Sequence, residues 1–309
     1  MSKTTEPARR PPRIAIDGVL LLDKPTGVTS NAALQTARRL LNARKAGHTG
    51  TLDPLASGLL PLTFGEATKF SHMLLDAEKE YVAGVRLGVE TASGDAEGEI
   101  LQTKPVTASA DDVRRALARF VGDIEQIPPM HSALKRDGKP LYEYARAGLE
   151  VERAPRKVRI DELELLGLDG ERFDVRVACS KGTYIRSLAI DLGRALGCGA
   201  HLDALRRTRI GAFDLSQAVT LERLEAAAPS ERPALLAPVD ALVTAYPRLD
   251  LDDDATQRVL HGQPLQKESA GTPGACVRLY GASGFLGLAQ WKDDGRLWPK
   301  RLVAAPPVS

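Results

Sequence analysis

Cysteine is scarce in this 309-residue chain: there are three, Cys179, Cys198 and Cys276, an odd number at wide spacing. That excludes a disulfide framework and a CxxC metal clip, and leaves buried reduced thiols as the reading. Histidines number five, scattered and without an HExxH-like pair, so no metal-dependent hydrolase site can be read. No apolar run approaches the roughly 18 to 20 residues that a membrane span needs. Residues 1–12 are polar and Pro-rich and lack the apolar core of a signal segment, so a soluble, cytoplasmic protein without membrane contact is expected. Internal repeats and low-complexity tracts are missing. So is the GxxxxGK[ST] spacing that wraps a phosphate chain, which argues against a nucleotidase built on DKPTGVTS at Asp23 to Ser30.

What is present is a globular composition, 43% apolar and 27% charged, long enough for about two domains. A net charge of +2 does not by itself advertise a nucleic-acid partner. Local counts say more, because phosphate neutralisation depends on where the cations sit. Residues 1–50 hold nine Lys or Arg against three Asp or Glu, and residues 135–159 hold eight against four. Both are candidate phosphate-facing surfaces, and both are equally compatible with a plain solvated face.

Gly18 to Asp23 (GVLLLD) reads as a buried strand ended by Lys24-Pro25. Ser30 is placed to cap a helix running from Asn31 to Leu41, with Arg38 and Arg39 where cations suit the helix dipole. Tyr81 to Leu87 and Phe173 to Cys179 alternate as half-buried strands, and Asp111 to Val121 and Thr183 to Leu196 read as helices. Strands and helices mix without a strict βαβ rhythm, which favours an α+β domain over a doubly wound one. Residues 126–159, opening with Pro128-Pro129 and ending in a basic cluster, read as an insertion projecting from the core. A boundary is expected near residue 245, followed by a small β module with strands at Ala275 to Tyr280, Phe285 to Trp291 and Arg296 to Val303 and a hairpin turn at Asp294-Gly295.

The segment most suggestive of chemistry is GHTGTLDPLASG, Gly47 to Gly58. Its glycines permit close approach of a ligand to backbone, and Pro54 stiffens the chain beside Asp53, so a carboxylate is presented on a rigid loop. An Asp-Pro dipeptide among glycines is as readily a plain turn, and spacing alone does not choose.

The complete string GHTGTLDPLASGLLPLTFGEATKF resembles the catalytic motif of the TruB family of tRNA pseudouridine synthases. The likeness continues in order through GVLLLDKPTGVTS, KEYVAGVRLGVETASGDAEG, PPMHSALKRDGKPLYEYARAG, SKGTYIRSLAIDLG, GCGAHLDALRRTRIGAF and, near the C-terminus, FLGLAQ and DGRLWPKRL. The resemblance implies a pseudouridine-synthase fold, a mixed and largely antiparallel sheet flanked by helices. It also implies an RNA-clasping insertion and a small C-terminal β-rich, PUA-like domain. The implied divisions are a flexible arm at 1–13, a catalytic domain at 14–245, the PUA-like module at 246–303 and a disordered tail at 304–309.

By the same resemblance the reaction is isomerisation of the uridine at position 55 in the T-loop of tRNA, without cofactor or metal. Asp53 is then the catalytic carboxylate, Tyr81 the ring stacked on the base, Arg186 the partner of the aspartate, and Leu205 a wall of the pocket. His48 braces the flipped nucleotide, with Tyr184 and Lys24 as further substrate contacts. The residue types suit the task. A carboxylate can assist glycosidic cleavage, an arginine can hold it through a forked geometry, and a tyrosine offers a planar face and a hydroxyl. Arg186 does so only if folding closes a gap of 133 residues to Asp53. Lys135, Arg136, Arg153, Arg156 and Lys157 of the insertion, with Arg206 and Arg207, are candidate RNA contacts. The tRNA T-arm is the expected partner, with the acceptor stem reached by the C-terminal module, and the chain is expected to act as a monomer. A pure RNA-folding protein would share the basic segments but has no use for the Asp53, Tyr81 and Arg186 set. A guide-RNA-dependent relative would share the catalytic loop, but the self-contained insertion favours direct recognition.

Overall fold

The computed structural model describes residues 12–132, 134–266 and 271–304. In chain order these open with β1 (Gly18–Lys24), α1 (Ser30–Leu40), β2 (Ala46–His48), β3 (Ala56–Phe64), β4 (Lys79–Leu87), β5 (Val89–Thr91), β6 (Ile100–Thr103), α2 (Ala110–Ala118) and β7 (Gly122–Gln126). Then come β8 (Lys135–Arg136), β9 (Lys139–Pro140), α3 (Leu141–Arg146), β10 (Arg156–Asp169), β11 (Arg172–Cys179), α4 (Ile185–Ala195), β12 (Ala200–Ile210), β13 (Phe213–Asp214), β14 (Val219–Thr220) and α5 (Leu221–Ala226).

One mixed sheet organises this region in the order β14-β1-β3-β12-β4-β11-β10-β7, with β2 on β3 and β13 on β12. Its pairs are antiparallel except β1 with β14 and β3 with β12. The apolar run of β1 is continuous because that strand lies inside the sheet with both faces covered. Helices α1, α2, α4 and α5 share one core with one sheet face, through Leu34, Leu117, Leu188 and Leu224 against Leu20, Val85 and Val175. The opposite face is covered at its β1 and β3 end by the 3-10 turn Gly65–Leu74 and by the C-terminal module. Toward β10 and β11 that face instead carries ion pairs such as Arg172–Asp203 at 2.7 Å and Arg176–Glu164 at 2.8 Å.

Several local expectations shift. Helix α1 is capped by Thr29, whose hydroxyl accepts from the Ala32 N–H, and not by Ser30, which is buried inside the first turn. The Gly-rich stretch is less loop than expected, since Ala46–His48 and Ala56–Phe64 are paired strands and only residues 49–55 remain between them. The insertion also ends earlier, at residue 155: from Arg156 the chain enters β10 and pairs with β7, so Arg156 and Lys157 belong to the sheet.

The C-terminal module holds a four-stranded sheet of β15 (Arg248–Asp250), β16 (Cys276–Gly281), β17 (Gly284–Trp291) and β18 (Leu297–Leu302), with α6 (Asp253–Leu260) between β15 and β16. The hairpin turn forms with Gly295 at φ 71°. Its own core, around Val259, Leu279 and Leu297, is separate from the contact it makes with the larger sheet through Phe285 and Leu288. Phe285 meets Phe70 at 5.5 Å, and Arg278 pairs with Asp240 at 2.9 Å. Ala304 is tied by its N–H to Glu66 at 2.6 Å, while the rest of the expected tail, like residues 1–11 of the arm, lies outside the described residues. All three cysteines are buried and free, and burial pushes the Cys179 thiol up to about 11. Among the described residues no helix is long and apolar enough to cross a membrane.

Candidate active site

The loop from Thr49 to Leu55 is held at each of its turns before it presents anything. The Thr49 N–H donates to the Pro61 carbonyl at 3.1 Å, the Gly27 N–H to the Pro54 carbonyl at 2.8 Å, and the Ala56 N–H to the Asp53 carbonyl at 3.1 Å. Ser30 binds both backbone groups of Leu52. Asp53 therefore projects from a fixed loop into a cleft of about 520 Å³, where its side chain is 42% exposed.

Arg186 stands opposite, in the first turn of α4, and its side chain is only 7% exposed. Its Nη2 lies 2.9 Å from Asp53 Oδ2 and donates to the His131 carbonyl at 2.6 Å. Its Nη1 donates to the Ser93 carbonyl at 3.3 Å and lies 3.4 Å from Asp95 Oδ2. Folding thus closes the gap of 133 residues, and it supplies a second carboxylate that the sequence reading had assigned no role. Asp95 is buried, and its Oδ1 accepts from Ser93 Oγ at 2.5 Å and from the Glu97 N–H at 3.1 Å. One buried guanidinium so bridges a fixed inner carboxylate and an accessible outer one, which sets the orientation of Asp53.

The walls of the cleft come from different strands. Tyr81 on β4 and Leu205 on β12 both line it, as do His48 at the end of β2 and Tyr184 at the N-cap of α4. Gln126 holds Tyr184 in place by accepting from its N–H at 3.0 Å and donating to its carbonyl at 3.3 Å. Burial raises the Tyr81 and Tyr184 phenols above their ordinary range. Burial, aided by the nearby Arg207 charge, lowers His48, which keeps its imidazole neutral, and its Nδ1 has no hydrogen-bond partner among the described residues. Leu75, Ser132 and Thr51 also contribute to the lining, and none of the three was assigned a role from the sequence.

The candidate RNA contacts divide. Lys135, Arg136, Arg156 and Lys157 are exposed. Arg153 is engaged inside the insertion, donating to the Pro128 carbonyl at 3.2 Å and pairing with Glu150. Arg206 is partly exposed and pairs with Asp23 at 2.6 Å. Two of the named cations are buried. Lys24 is fully buried, its Nζ donating to the Val28 carbonyl at 2.6 Å and the Pro25 carbonyl at 2.8 Å, so it braces the turn after β1 and presents no surface charge. Arg207 is 2% exposed, with its Nε donating to the Leu59 carbonyl at 2.8 Å, and so cannot reach a phosphate at the surface.

Comparison with known proteins then decides the kinship. Residues 38–185 match the description TruB family pseudouridylate synthase (N terminal domain), residues 186–244 match tRNA pseudouridylate synthase B C-terminal domain, and residues 247–303 match Pseudouridine synthase II TruB, C-terminal. The chain belongs to the TruB family of pseudouridine synthases. It is 60% identical to the tRNA pseudouridine synthase B of Azoarcus sp. (strain BH72), over 96% of this chain and 98% of that one. With the enzyme of the same name from Aromatoleum aromaticum it shares 63% identity, over 94% of each chain. Among solved structures, a chain of an archaeal box H/ACA sRNP Nop10-Cbf5 complex aligns with a TM-score of 0.69 at 27% identity, over 94% of this chain and 89% of that one. A chain of an H/ACA RNP bound to a substrate RNA containing 2′-deoxyuridine aligns with a TM-score of 0.68 at 27% identity, covering 93% of this chain and 85% of its own length. The synthase fold, with its β-rich C-terminal part, is shared with these proteins. TruB-family membership makes this chain an isomerase.

Proposed function

We propose that the synthase isomerises the uridine at position 55 in the T-loop of tRNA, with Asp53 as the catalytic carboxylate. The observation that carries the reading is the contact between Arg186 and Asp53 inside a cleft that also brings Tyr81 and Leu205 together. A base in a folded RNA loop must leave its stack to enter such a cleft, at a cost of a few kcal/mol. His48, neutral and flanked by Gly47, is placed to brace the space vacated. Tyr81 and Leu205 would then confine the uracil while its N1 to C1′ bond is exchanged for a C5 to C1′ bond. Lys135, Arg136, Arg156 and Lys157 would hold phosphates of the T-arm, positioning without reading sequence.

The relatives above 55% identity carry tRNA in their names, which supports tRNA as the substrate here. The H/ACA neighbours act within ribonucleoproteins, yet at 27% identity they speak for the fold first. The self-contained insertion, whose root is bonded to α4 through Ser187 Oγ and the Ile127 carbonyl at 2.9 Å, supports direct recognition without guide RNA. The module at 246–303 serves as the PUA-like unit that leans on the acceptor stem. The enzyme acts as a cytoplasmic monomer and uses no metal or cofactor.

The experiment is pseudouridine mapping of unmodified tRNA incubated with purified protein, alongside Asp53→Asn. Modification confined to the T-loop with wild type, and none with the variant, is expected. Wild type that binds tRNA but forms no pseudouridine would transfer the proposal to RNA folding without chemistry.

A further inference from the structure

Arg207 lies on β12 between Tyr81 of β4 and Gly58 of β3, its neighbours in the ladder on either side. A Cβ at Gly58 would stand 2.3 Å from the Arg207 carbonyl oxygen, so only glycine lets the two strands meet here. The Arg207 side chain is buried, and no carboxylate pairs with it among the described residues. Its guanidinium donates to backbone, Nε to the Leu59 carbonyl at 2.8 Å and Nη2 to the Gly50 carbonyl at 3.4 Å, and it also lies against the Tyr81 hydroxyl. Gly50 lies three residues before Asp53 in the catalytic loop. The same charge acts on Tyr81 and His48, two groups that line the cleft. A buried cation without a counter-ion is costly, and scaffolding of carbonyls alone does not require a charge.

We propose that Arg207 is a positioning residue for the isomerisation: one buried cation that fixes the Tyr81 hydroxyl and the Gly50 end of the catalytic loop at the wall of the cleft. The inference rests on the assignment of Tyr81 and Asp53 under the proposed function. Its chemistry is balanced within the substrate. The N1 to C1′ bond breaks with its electron pair on the uracil, that pair forms the C5 to C1′ bond, and C5 loses a proton while N1 gains one. Between the two steps the base is negative, and a fixed cation behind Tyr81 and Gly50, which line the cleft, stabilises that state more than the neutral uridine.

The test uses full-length protein and unmodified tRNA with Arg207→Met, Arg207→Lys, Tyr81→Phe and the double variant Arg207→Met/Tyr81→Phe. Expected is a single-turnover rate lower by about 100-fold in Arg207→Met. The loss is smaller in Arg207→Lys, which keeps the charge but not the fork. Affinity for tRNA and its salt dependence stay as in wild type, because the guanidinium never reaches a phosphate. In the Tyr81→Phe background Arg207→Met adds little further loss, since the two act together. A salt slope reduced by about one would make Arg207 a phosphate contact and overturn the proposal. So would a wild-type rate in either variant, or losses that multiply in the double variant. If Arg207→Met does not fold, Arg207→Lys decides alone: slower turnover at unchanged affinity supports positioning, and full rate overturns it. Tyr81→Phe at full rate would likewise overturn this inference, because Arg207 acts through the hydroxyl, and would leave the ring's confinement of the uracil standing, whereas an active Asp53→Asn would remove the reading of the site itself.

Discussion

The Ser30 hydroxyl holds Leu52 at both of its backbone groups, donating to the carbonyl at 2.9 Å and accepting from the N–H at 2.8 Å. Ser30 is 2% exposed and Leu52 directly precedes Asp53, so the first turn of α1 sets the height of the Asp53 carboxylate. Neither backbone group of Leu52 has water to fall back on once the hydroxyl is removed.

Ser30→Ala is therefore expected to destabilise the protein by roughly 1 to 3 kcal/mol, the range for a buried donor left unsatisfied. Turnover should fall further than tRNA affinity, since an ångström of misplacement at the reacting centre is worth about 100-fold. Urea denaturation and single-turnover kinetics measure the two effects, and an active, equally stable variant would show that the loop holds itself.

Asp95→Asn keeps the shape of the inner carboxylate but removes its charge from Arg186, 3.4 Å away. The guanidinium is then oriented by Asp53 and by the Ser93 and His131 carbonyls alone. A rate loss of about 10- to 100-fold with unchanged tRNA binding is expected. Filter binding beside single-turnover assays separates the two, and weakened binding at normal rate would count against a role through Arg186.

Burial drives the Lys24 ammonium down from 10.5 to about 8, with the Asp53 carboxylate partly opposing it. Between those values the unfolded chain holds a proton that the folded chain has released, so stability rises with pH across that window. The penalty for a buried charge is fully present below about pH 8 and is relieved as pH climbs toward 10.5. Urea denaturation of wild type and Lys24→Met at successive pH values should show wild type gaining on the variant through this range. A constant difference would mean that the ammonium is not desolvated.

Exposed cations of the insertion and of β10 should behave differently from buried ones. Alanine at Lys135, Arg136 or Arg156 is expected to weaken tRNA binding alike for all substrates and to lower the salt slope by about one per charge. Titrations at several salt concentrations check this, and an unchanged slope would place the RNA elsewhere on the surface.

Local chemistry made much of the fold legible. An apolar run ended by Lys-Pro, alternation in Phe173 to Cys179 and an Asp-Gly turn each specify an element through interactions within a few residues. Helix ends were less secure: Thr29 and Ser30 are both good caps, and the choice fell to Thr29 because Ser30 is needed inside, on Leu52. The end of the insertion was hidden for a similar reason. Residues 156–159 carry three cations and look like solvated loop, but pairing with β7 satisfies their backbone and makes them strand.

By itself, then, the sequence determined the elements, the rigid loop that offers Asp53, and, through resemblance along nearly the whole chain, the family. Tertiary structure alone decided which charged residues are inside. Lys24, Asp95, Arg186 and Arg207 are of types that sequence reading assigns to the surface. Each is buried because folding brings carbonyls or an opposite charge to meet it: the adjoining turn's Val28 for Lys24 and, from farther along the chain, Arg186 for Asp95, Asp53 for Arg186, and Leu59 and Gly50 for Arg207. The cost of burying a charge depends on those partners, and partners separated by up to 157 residues leave no periodicity or spacing for a sequence to show.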